Sequence, residues 1–431
     1  MTSFEDCLRV GWSRVAGLPL KNYRVVDFGT AWAGPMAAQL LADLGAEVIK
    51  VESRARMDGL RLGRPIVGDD AAGGDQGLWP ELQPVFHSIN RNKLSVSLNL
   101  KTPEGLDLAK LLIARSDVVM NNYSPGVLAR LGLDYPDLKK LQPDIILVSM
   151  PSVGSTGPLR DLLAYAPNIQ ALSGLMSLVG YGSDEREEEP LVGEFQSPWS
   201  DVNASLHAAL GAVAALRHRN LTGEGQDVEV AQLEATASML GEAFLGYQMS
   251  GEPPRPQGNA DPEFAPHNNY PCAGEERWIS IAVRTEAEWQ GLCRAMGGPE
   301  WAMNDRFSSR QARQANLREL DENIAAWTRR HTADEAAQVL QEHGVAAMPV
   351  MNIESQFLDP HLQERRAYES VDHPHLGTEW VYGMSWIFSE TPGEIRTAAP
   401  LLGEHNQHIL CGLLGLTQDR LQVLEDQQAV Y

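Results

Sequence analysis

Residues 23–52 read YRVVDFGTAWAGPMAAQLLADLGAEVIKVE, and this stretch decides the fold class. The run Tyr23–Phe28 is apolar and β-branched, which is typical of a buried strand. A short turn follows, and Gly34-Pro35 opens a segment with helical apolar spacing that ends at Gly45. A second apolar run, Ala46–Val51, predicts the next strand. The stretch therefore predicts a strand, a helix and a second strand in succession.

The same alternation continues along the first 150 residues. Thr102–Arg115 predicts a helix, and Asp117–Met120 and Ile145–Ser149 predict two more strands. Strands that alternate with helices of 10 to 15 residues indicate a parallel, doubly wound α/β sheet. The stretch 251–269 is rich in proline and predicts a linker, after which Trp278–Val283 predicts the strand that opens a second α/β unit.

Composition excludes several classes of protein. The chain has 431 residues, with 35 Lys and Arg against 57 Asp and Glu, so its formal net charge is −22. This charge disfavours nucleic acid as a partner and means that an anionic ligand needs a local basic pocket. No run approaches the ~20 apolar residues of a membrane span, and the first residues do not resemble a signal peptide. The four cysteines are far apart in sequence, which favours a reducing cytoplasm over a disulfide framework or a zinc site.

Common cofactor and nucleophile motifs are missing from the sequence. The first strand-to-helix turn, residues 29–34, reads GTAWAG and lacks the GxGxxG pattern of dinucleotide-binding proteins. The chain also has no Walker loop and no GxSxG nucleophile elbow. Its histidines do not have the spacing of a ligand set. We therefore predict no metal and no permanently bound cofactor.

Five motifs, in the same order along the chain, resemble the class III coenzyme A transferases. They are the stretch from Leu18 to Glu52, NRNKLSVSLNLKTPEG at 90–105, DVVMNNYSPGVLARLGL at 117–133, SDVNASLHAALGAVAALRHRNLTGEGQDVEV at 200–230 and APLLGEHN at 399–406. That family includes formyl-CoA and carnitine CoA-transferases and shares its fold with α-methylacyl-CoA racemases. The resemblance spans residues 18–415 and implies an acyl-CoA:carboxylate CoA-transferase. Its substrates would be an acyl-CoA and a small carboxylic acid.

The resemblance assigns the catalytic nucleophile to Asp201. A carboxylate can attack a thioester to give a mixed anhydride, which then becomes an aspartyl-CoA thioester. Asp201 precedes an alanine-rich helix predicted for 204–219, and a helix N-terminus stabilises a carboxylate, so we expect a lowered pKa. The residues alone leave an alternative open, in which Asp201 is an ordinary helix N-cap.

The resemblance also implies the contacts to CoA. The implied residues are Thr30, Ala31, Trp32 and Ala33 of the first turn, Arg54 after the second strand, Lys93, Asn122, Tyr123 and Arg130 at the nucleotide end, and Tyr165 near the thioester. The formyl-CoA enzyme has a histidine and a glutamine where this chain has Thr30 and Trp32, which predicts a more apolar acyl pocket. We expect a basic group at the C-terminal edge of the sheet, made of Arg54, Arg56, Arg91, Lys93 and Arg130.

Two other functions are weighed against the transferase. A racemase needs an acid–base pair, but Ala166 occupies the position of the racemase aspartate and cannot abstract a proton. The formyl-CoA enzyme has a glutamate there, so a formyl substrate is also disfavoured. The second alternative is a catalytically silent subunit of a heteromeric transferase, which the presence of Asp201 disfavours.

The irregular stretch 57–83 predicts a lid or a substrate-recognition arm. Arg61 or Arg64 in this stretch could pair with a second carboxylate on the substrate. That pairing would favour a dicarboxylic acid of the succinate or benzylsuccinate type.

Domain organisation and assembly follow from the resemblance. It implies a large Rossmann-like CoA-binding domain at 1–225 that is completed by about 390–431. A linker helix and linker occupy 226–270, and a small α/β domain occupies 271–389. Two chains are expected to thread through each other as interlocked rings, as a homodimer or as a heteromer with a related subunit. We expect a cytoplasmic protein with no nucleic-acid or membrane partner.

Overall fold

A computed structural model gives the structure of the protein at residues 17–66, 73, 75–181, 191–192 and 197–431. These residues divide into two units. The first takes the described residues of 17–175, 197–245 and 364–431, and the second takes those of 176–192 and 246–363. Both ends of the described chain therefore belong to the first unit.

The strands are numbered along the chain. They are β1 (Arg24–Asp27), β2 (Glu47–Glu52), β3 (Lys93–Ser97), β4 (Val118–Asn121), β5 (Ile146–Ser149), β6 (Gly180–Tyr181), β7 (Leu191–Val192), β8 (Asp227–Glu229), β9 (His267–Pro271), β10 (Trp278–Ala282), β11 (Ala346–Pro349), β12 (Tyr368–His373) and β13 (Gly377–Tyr382).

The α-helices are numbered in the same way. They are α1 (Ala33–Asp43), α2 (Pro84–Ser88), α3 (Pro103–Ile113), α4 (Val127–Arg130), α5 (Tyr135–Leu141), α6 (Ala166–Leu172), α7 (Trp199–Thr222), α8 (Gln232–Ala237), α9 (Gly241–Ser250), α10 (Glu286–Ala295), α11 (Arg310–Ala315), α12 (Leu317–Thr328), α13 (Ala333–Glu342), α14 (Ile353–Leu358), α15 (Pro360–Glu364) and α16 (Gln418–Asp426). Short 3₁₀ turns occur at Arg54–Arg56, Gly59–Arg61, Gln76–Glu81, Leu175–Leu178, Ser238–Leu240, Glu300–Met303 and Asp305–Phe307, and Gln407–Leu413 is a π-helix.

The first unit is built on a six-stranded sheet in the order β3-β2-β1-β4-β5-β8. Every neighbouring pair in this sheet is parallel. The predicted doubly wound α/β class is therefore confirmed. The strand order reverses between β1 and β4, and in such sheets ligands bind in the crevice at the carboxyl ends of the strands at this point.

Apolar side chains cover both faces of the sheet. On one face, Val25 and Val48 pack with alanines of α1 and α7, including Ala38, Ala208 and Ala212. Because alanine side chains are small, the two helices approach each other closely. On the other face, the strands pack against α3, the π-helix and α16. Burial on both faces explains why the strands read as continuous apolar runs.

The outer edge of β3 is covered by residues of the motif at 399–406. The amide of Ser95 donates to His405 Nδ1, and the amide of His405 donates to Ser95 O, at 3.2 and 3.0 Å. The amide of Ser97 donates to Asn406 Oδ1 at 2.8 Å. Satisfying these groups removes an exposed strand edge, which is a structural role for the motif.

The second unit contains an antiparallel sheet in the order β11-β10-β9, packed against α10, α12 and α13. Capping boxes begin two of these helices, since Thr285 pairs with Glu288 and Thr332 pairs with Glu335. The predicted strand at 278–283 is confirmed as β10.

Two local predictions differ from the structure. The helix predicted at 204–219 begins earlier, at Trp199, and ends at Thr222, where Gly223 adopts φ +77°. The composition of residues 228–247 predicts a separate helix, but 227–229 form the edge strand β8 beside β5. Helix α8 begins only at Gln232, so the alternating sequence DVEV forms strand before the helical composition takes effect.

The boundaries between the units also differ from the predicted domains. Residues 226–245 belong to the first unit, where a linker was predicted. The antiparallel hairpin β12–β13 belongs there too, although it was assigned to the small domain. In the described residues, no helix combines the length and the apolarity that a bilayer crossing requires.

Candidate active site

The turn between β1 and α1 lies at the switch point of the sheet. Its two ends approach so closely that a Cβ on Gly29 would lie 2.8 Å from Gly34 Cα. Both positions therefore require glycine. Between them, Ala31 adopts the left-handed conformation with φ 55°, which costs an alanine roughly 1 kcal/mol or more.

Side chains from four places hold the backbone of this turn. Asp27 Oδ1 accepts from the amide of Gly29 at 2.7 Å, and Lys50 Nζ donates to Gly29 O at 2.7 Å. Asn122 accepts from the amide of Thr30 at 2.9 Å and donates to Thr30 O at 2.7 Å. Asp58 Oδ1 accepts from the amide of Ala31 at 3.0 Å. These bonds replace the backbone pairing that a helix or sheet would supply, so the turn has one defined shape.

Asp201 lies in the first turn of α7. Pro198 occupies the N-cap position and no side chain caps the helix, so the alternative in which Asp201 is the N-cap is wrong. The carboxylate of Asp201 has no hydrogen-bond donor within the described residues. Burial raises the pKa of Asp201 to about 6. The expected lowering of this pKa is also wrong, because the loss of hydration outweighs the helix N-terminus.

Ser205 connects the first helical turn of α7, which contains Asp201, to the turn between β1 and α1. Its Oγ lies 2.6 Å from Asp201 O and 2.9 Å from Ala33 O. Ser205 itself is fully buried between α1 and α7. The start of α7 and the start of α1 are therefore held side by side, which brings Asp201 next to the turn at 30–33 that was predicted to contact CoA.

Tyr165 and Ala166 also lie beside the Asp201 turn. Ser200 Oγ donates to Ala166 O at 3.3 Å, and Ala166 is buried at the start of α6. Tyr165, which precedes it, is 70% exposed. The structure thus brings three predicted site features together: the turn at 30–33, Asp201 and Tyr165.

Within the turn, the predicted residues differ in exposure. Thr30 and Ala31 are exposed, Trp32 is half-buried and Ala33 is fully buried. Ala33 can therefore contribute only through its backbone. The indole Nε1 of Trp32 is buried and has no hydrogen-bond partner in the described part of the chain.

Two of the five predicted basic residues are buried in ion pairs. Lys93 Nζ lies 2.9 Å from Asp27 Oδ2 with both side chains inaccessible, and it also donates to Pro35 O and Asn90 Oδ1. Arg91 pairs with Asp43 at 2.7 Å. The structure contradicts the predicted nucleotide contact of Lys93, because every donor direction of its ammonium group points into the protein.

Three basic residues stay available at the sheet edge. Arg54, Arg56 and Arg130 are exposed, and none forms an ion pair within the residues that the structure describes. Arg54 lines a cavity of about 640 Å³ with Met57, Leu78 and the 401–404 segment.

The two other residues predicted at the nucleotide end, Tyr123 and Asn122, are less available. Tyr123 packs partly against the core, and burial raises the pKa of its hydroxyl. Asn122 was predicted to contact the nucleotide. In the structure, both ends of its side-chain amide bond to the backbone of Thr30 instead.

Arg61 is not a substrate-binding residue. Its guanidinium makes two bonds to Glu52, at 2.8 and 2.9 Å, and another to Glu81 at 2.8 Å. It also stacks on the Phe86 ring, 3.6 Å from the centroid, and is fully buried. The prediction that Arg61 pairs with a substrate carboxylate is therefore wrong. Arg64 is exposed, and residues 67–72 and 74 of the predicted arm lie outside the described residues.

Buried charges beneath the turn stabilise each other. Burial alone would raise the pKa of Asp27, but Lys93 and Lys50 hold it below its usual value. Burial lowers the pKa of Lys93 to about 8 against the opposing charge of Asp27. The motif resemblance did not single out Asp27, Lys50 or Asp58. For Asp27 and Lys50 the signal in the sequence was a charged residue inside an apolar strand, RVVDF and EVIKVE, since a buried charge requires a partner. Asp58 lies in the irregular stretch 57–83, where the sequence carries no such signal.

One group of metal-ligating side chains meets within the described residues. His87, His373 and Glu379 offer ligand atoms that lie within 4.8 Å of one another. Both nitrogens of His87 face acceptors, Glu379 Oε1 at 2.7 Å and Glu81 O at 3.0 Å. His373 Nδ1 accepts from the amide of His375, which leaves the proton of a neutral ring on Nε2. The cluster is thus hydrogen-bonded, and a metal ion would have to displace at least one of these bonds.

Comparison with known proteins identifies similar proteins that match nearly the whole chain. The sequence model of CoA-transferase family III matches residues 20–406. A succinyl-CoA–D-citramalate CoA-transferase of Chloroflexus aurantiacus is 35% identical over 412 residues, which cover 96% of this chain and 98% of that protein. The beta subunit of a succinyl-CoA–L-malate CoA-transferase from the same organism is 32% identical, with 96% and 98% covered. A crystal structure of a CAIB/BAIF family protein from Brucella suis superposes with a TM-score of 0.82 at 29% identity, covering 92% of this chain and all of that one.

Proposed function

Because the chain belongs to CoA-transferase family III, we propose that it transfers CoA from an acyl-CoA to a carboxylic acid through covalent intermediates on Asp201. A carboxylate oxygen of Asp201 attacks the thioester carbon, the C–S bond breaks, and the products are a mixed anhydride and the CoA thiolate. The thiolate then attacks the Asp201 carbonyl and expels the donor acid, which leaves an aspartyl-CoA thioester. The acceptor carboxylate reverses the two steps. One thioester replaces another, so the exchange needs no ATP.

The environment of Asp201 is the observation that carries this proposal. Asp201 is half-buried, its carboxylate has no donor in the described part of the chain, and its backbone is linked through Ser205 to a turn of fixed shape. A carboxylate without hydrogen-bond donors keeps its lone pairs available for attack. Its pKa of about 6 still leaves most of the group ionised at neutral pH. A helix cap or an ion-paired aspartate would lack this availability.

The bound CoA is proposed to follow the exposed edge of the sheet. The pantetheine would lie along Thr30 and Ala31, with Tyr165 near the thioester. Arg54, Tyr123 and Arg130 would contact the nucleotide end, where exposed cations favour phosphates. A local basic group is required because the chain as a whole carries a charge of −22.

The acid substrate is proposed to be a small dicarboxylate. Two relatives are named for transfer between succinyl-CoA and citramalate or malate, both of which carry two carboxylates. The test uses the purified single chain, succinyl-CoA as donor and a panel of acids, and detects new acyl-CoA species by mass spectrometry. We expect new thioesters with four- and five-carbon dicarboxylates and much less with acetate or formate.

Other outcomes of this assay identify the alternatives. Transfer that occurs only after a second, related chain is added would support the silent-subunit alternative. Uptake of deuterium at the α-carbon of a branched acyl-CoA, without any acceptor acid, would support the racemase. We expect no such exchange, because Ala166 offers only a methyl group and a carbonyl already bonded to Ser200.

The ionisation of Asp201 predicts a pH dependence. Only the carboxylate attacks the thioester, so kcat/KM for acyl-CoA should fall about tenfold per pH unit below about pH 6. The 3′-phosphate of CoA also titrates near pH 6. A dephospho-CoA thioester, which lacks that group, is therefore the control and should show the same acid limb. A rate that stays constant down to pH 5 would contradict the assignment.

Assembly with a second copy of the chain is proposed as well. On α7, Leu206, Leu210, Val213 and Leu221 lie on one helical face and are exposed, and Leu221 is 68% exposed. Phe244 on α9 is 65% exposed. Apolar rows of this kind mark interfaces, and the interlocked dimer implied by the family would cover them. Sedimentation equilibrium should give about twice the 47.3 kDa chain mass. Leu210→Glu would bury a charge in the interface and should lower the melting temperature of the dimer. A monomeric wild type would contradict the proposal.

A further inference from the structure

Asp58 lies at the centre of the contacts that shape the turn beside Asp201. It is 5% exposed and follows the 3₁₀ turn Arg54–Arg56. Its Oδ1 accepts from two amides, those of Ala31 and Leu60, each at 3.0 Å. Its Oδ2 lies 3.4 Å from Lys50 Nζ. One carboxylate therefore joins the turn, the 3₁₀ segment at 59–61 and strand β2.

Lys50 fixes both the carboxylate and the turn. Its ammonium group is buried and donates to Gly29 O at 2.7 Å while it pairs with Asp58. Burial alone would lower the pKa of Lys50, but Asp27 and Asp58 raise it above its usual value. The lysine therefore stays charged, and the pair spans the turn from Gly29 to Ala31.

The hydrogen bond that Asp58 accepts comes from the amide of Ala31, the strained residue of the turn. Ala31 has φ 55°, a conformation that an alanine adopts only when its surroundings impose it. Two residues later, Ala33 O contacts Ser205, which in turn contacts Asp201 O. The position of the turn relative to the start of α7, where Asp201 lies, therefore depends on the conformation of Ala31.

We propose that Asp58, held by Lys50, is a positioning residue for CoA transfer: it keeps Ala31 left-handed and so fixes the surface on which the thioester lies against Asp201. The inference rests on the proposed function, because it requires the thioester to lie along this turn. Asp58 neither attacks nor protonates the substrate, since both of its oxygens are occupied by the protein.

Three variants test the role of Asp58. Asp58→Ala removes the bond to Ala31 and should lower kcat roughly 30- to 100-fold, with a much smaller change in KM for acyl-CoA. Asp58→Glu keeps the charge beside Lys50 but displaces the carboxylate, so it should fold normally and still lower kcat at least about tenfold. Asp359→Ala is the matched control, because Asp359 Oδ1 also accepts from a backbone amide, that of Leu362 at 2.9 Å, and the residue lies in no segment assigned to the site. Its kcat should equal that of the wild type.

A second substitution at Ala31 separates positioning from a general structural effect. Glycine adopts the left-handed conformation without the alanine penalty, so Ala31→Gly in the Asp58→Ala background should restore kcat at least about fivefold. Hydrogen exchange provides a readout that is independent of activity. The peptide covering residues 28–36 should exchange faster in Asp58→Ala than in the wild type.

The outcomes distinguish this inference from the proposed function. A wild type that transfers CoA, with Asp58→Ala or Asp58→Glu at the same kcat, would overturn the inference. An unrestored kcat in the double variant would also overturn it. A wild type that transfers CoA to no acid would defeat the proposed function, and with it the catalytic role of Asp58. Exchange at 28–36 would then still report whether Asp58 fixes the turn.

Discussion

Replacing Asp201 with asparagine is expected to lower kcat by several orders of magnitude while the protein stays folded. Asparagine keeps the shape of the side chain but lacks the carboxylate that attacks the thioester, and removal of a nucleophile has effects of this size. KM for acyl-CoA should change little, because the proposed CoA contacts lie on other residues. The matched control is Asp419→Asn, an exposed aspartate in the first turn of α16, which should leave kcat unchanged.

Stability distinguishes this effect from unfolding. The folded-state pKa of Asp201 is raised to about 6, so its contribution to stability is present at low pH and is lost as the pH rises through about 6. Asparagine carries no charge to bury. At pH 8 the Asp201→Asn protein should therefore unfold at the same temperature as the wild type or a higher one, and the difference should disappear below about pH 4. An inactive variant with a clearly lower melting temperature at pH 8 would instead indicate a structural role.

Replacing Lys93 with methionine is expected to destabilise the first unit strongly. Methionine has a similar length, but it leaves Asp27 fully buried without its 2.9 Å partner and removes the bonds that Lys93 donates to Pro35 O and Asn90 Oδ1. Removing one member of a buried ion pair costs about 3–5 kcal/mol. Urea unfolding followed by circular dichroism measures this loss.

The control for Lys93 is Lys110→Met on α3. Lys110 is partly exposed and lies 3.8 Å from Asp107, and surface pairs of this kind contribute little. If Lys93 contacted the nucleotide as the sequence predicted, the variant would keep its stability and raise KM for acyl-CoA. That result would contradict the structural role assigned here.

The sequence was sufficient to predict the parallel sheet and to single out Asp201 as the candidate nucleophile. Apolar runs alternate with helical spacing across residues 23–149, and this pattern specifies a doubly wound sheet without knowledge of side-chain contacts. Asp201 was identified because the family motif matches on both sides of it. Neither inference depends on which charged groups are buried.

Predictions that depended on the burial of charges were less successful. Arg91 and Lys93 border β3 just as Arg54 follows β2, so the sequence could place all three in the basic group for CoA, and Arg61 could be assigned to a substrate carboxylate. Their partners decide the outcome. Asp27 and Asp43 lie 66 and 48 residues from the cations that they bind, whereas Arg61 lies nine residues from Glu52, beyond the end of β2. Pairing at such separations is set by the folded sheet, which periodicity does not describe.

The pKa of Asp201 was mispredicted for a related reason. Its position near a helix N-terminus is visible in the sequence, but the depth of the carboxylate is not. Burial of the group has the larger effect on the pKa. The same burial, with no donor from the described residues, is the observation on which the proposed role as a nucleophile rests. The predicted direction of the pKa shift was wrong, and the role stays a prediction.

The role of Asp201 is tested most directly by mass spectrometry of the peptide that contains it. The wild type is incubated briefly with succinyl-CoA and no acceptor acid, then digested, and Asp201→Asn is treated identically. We expect the wild-type peptide to gain the mass of CoA or of the succinyl group. Hydroxylamine should remove either adduct, because thioesters and anhydrides are both labile to it, and the variant should show none. A wild type that turns over succinyl-CoA and never carries an adduct on this peptide would contradict the covalent mechanism at Asp201.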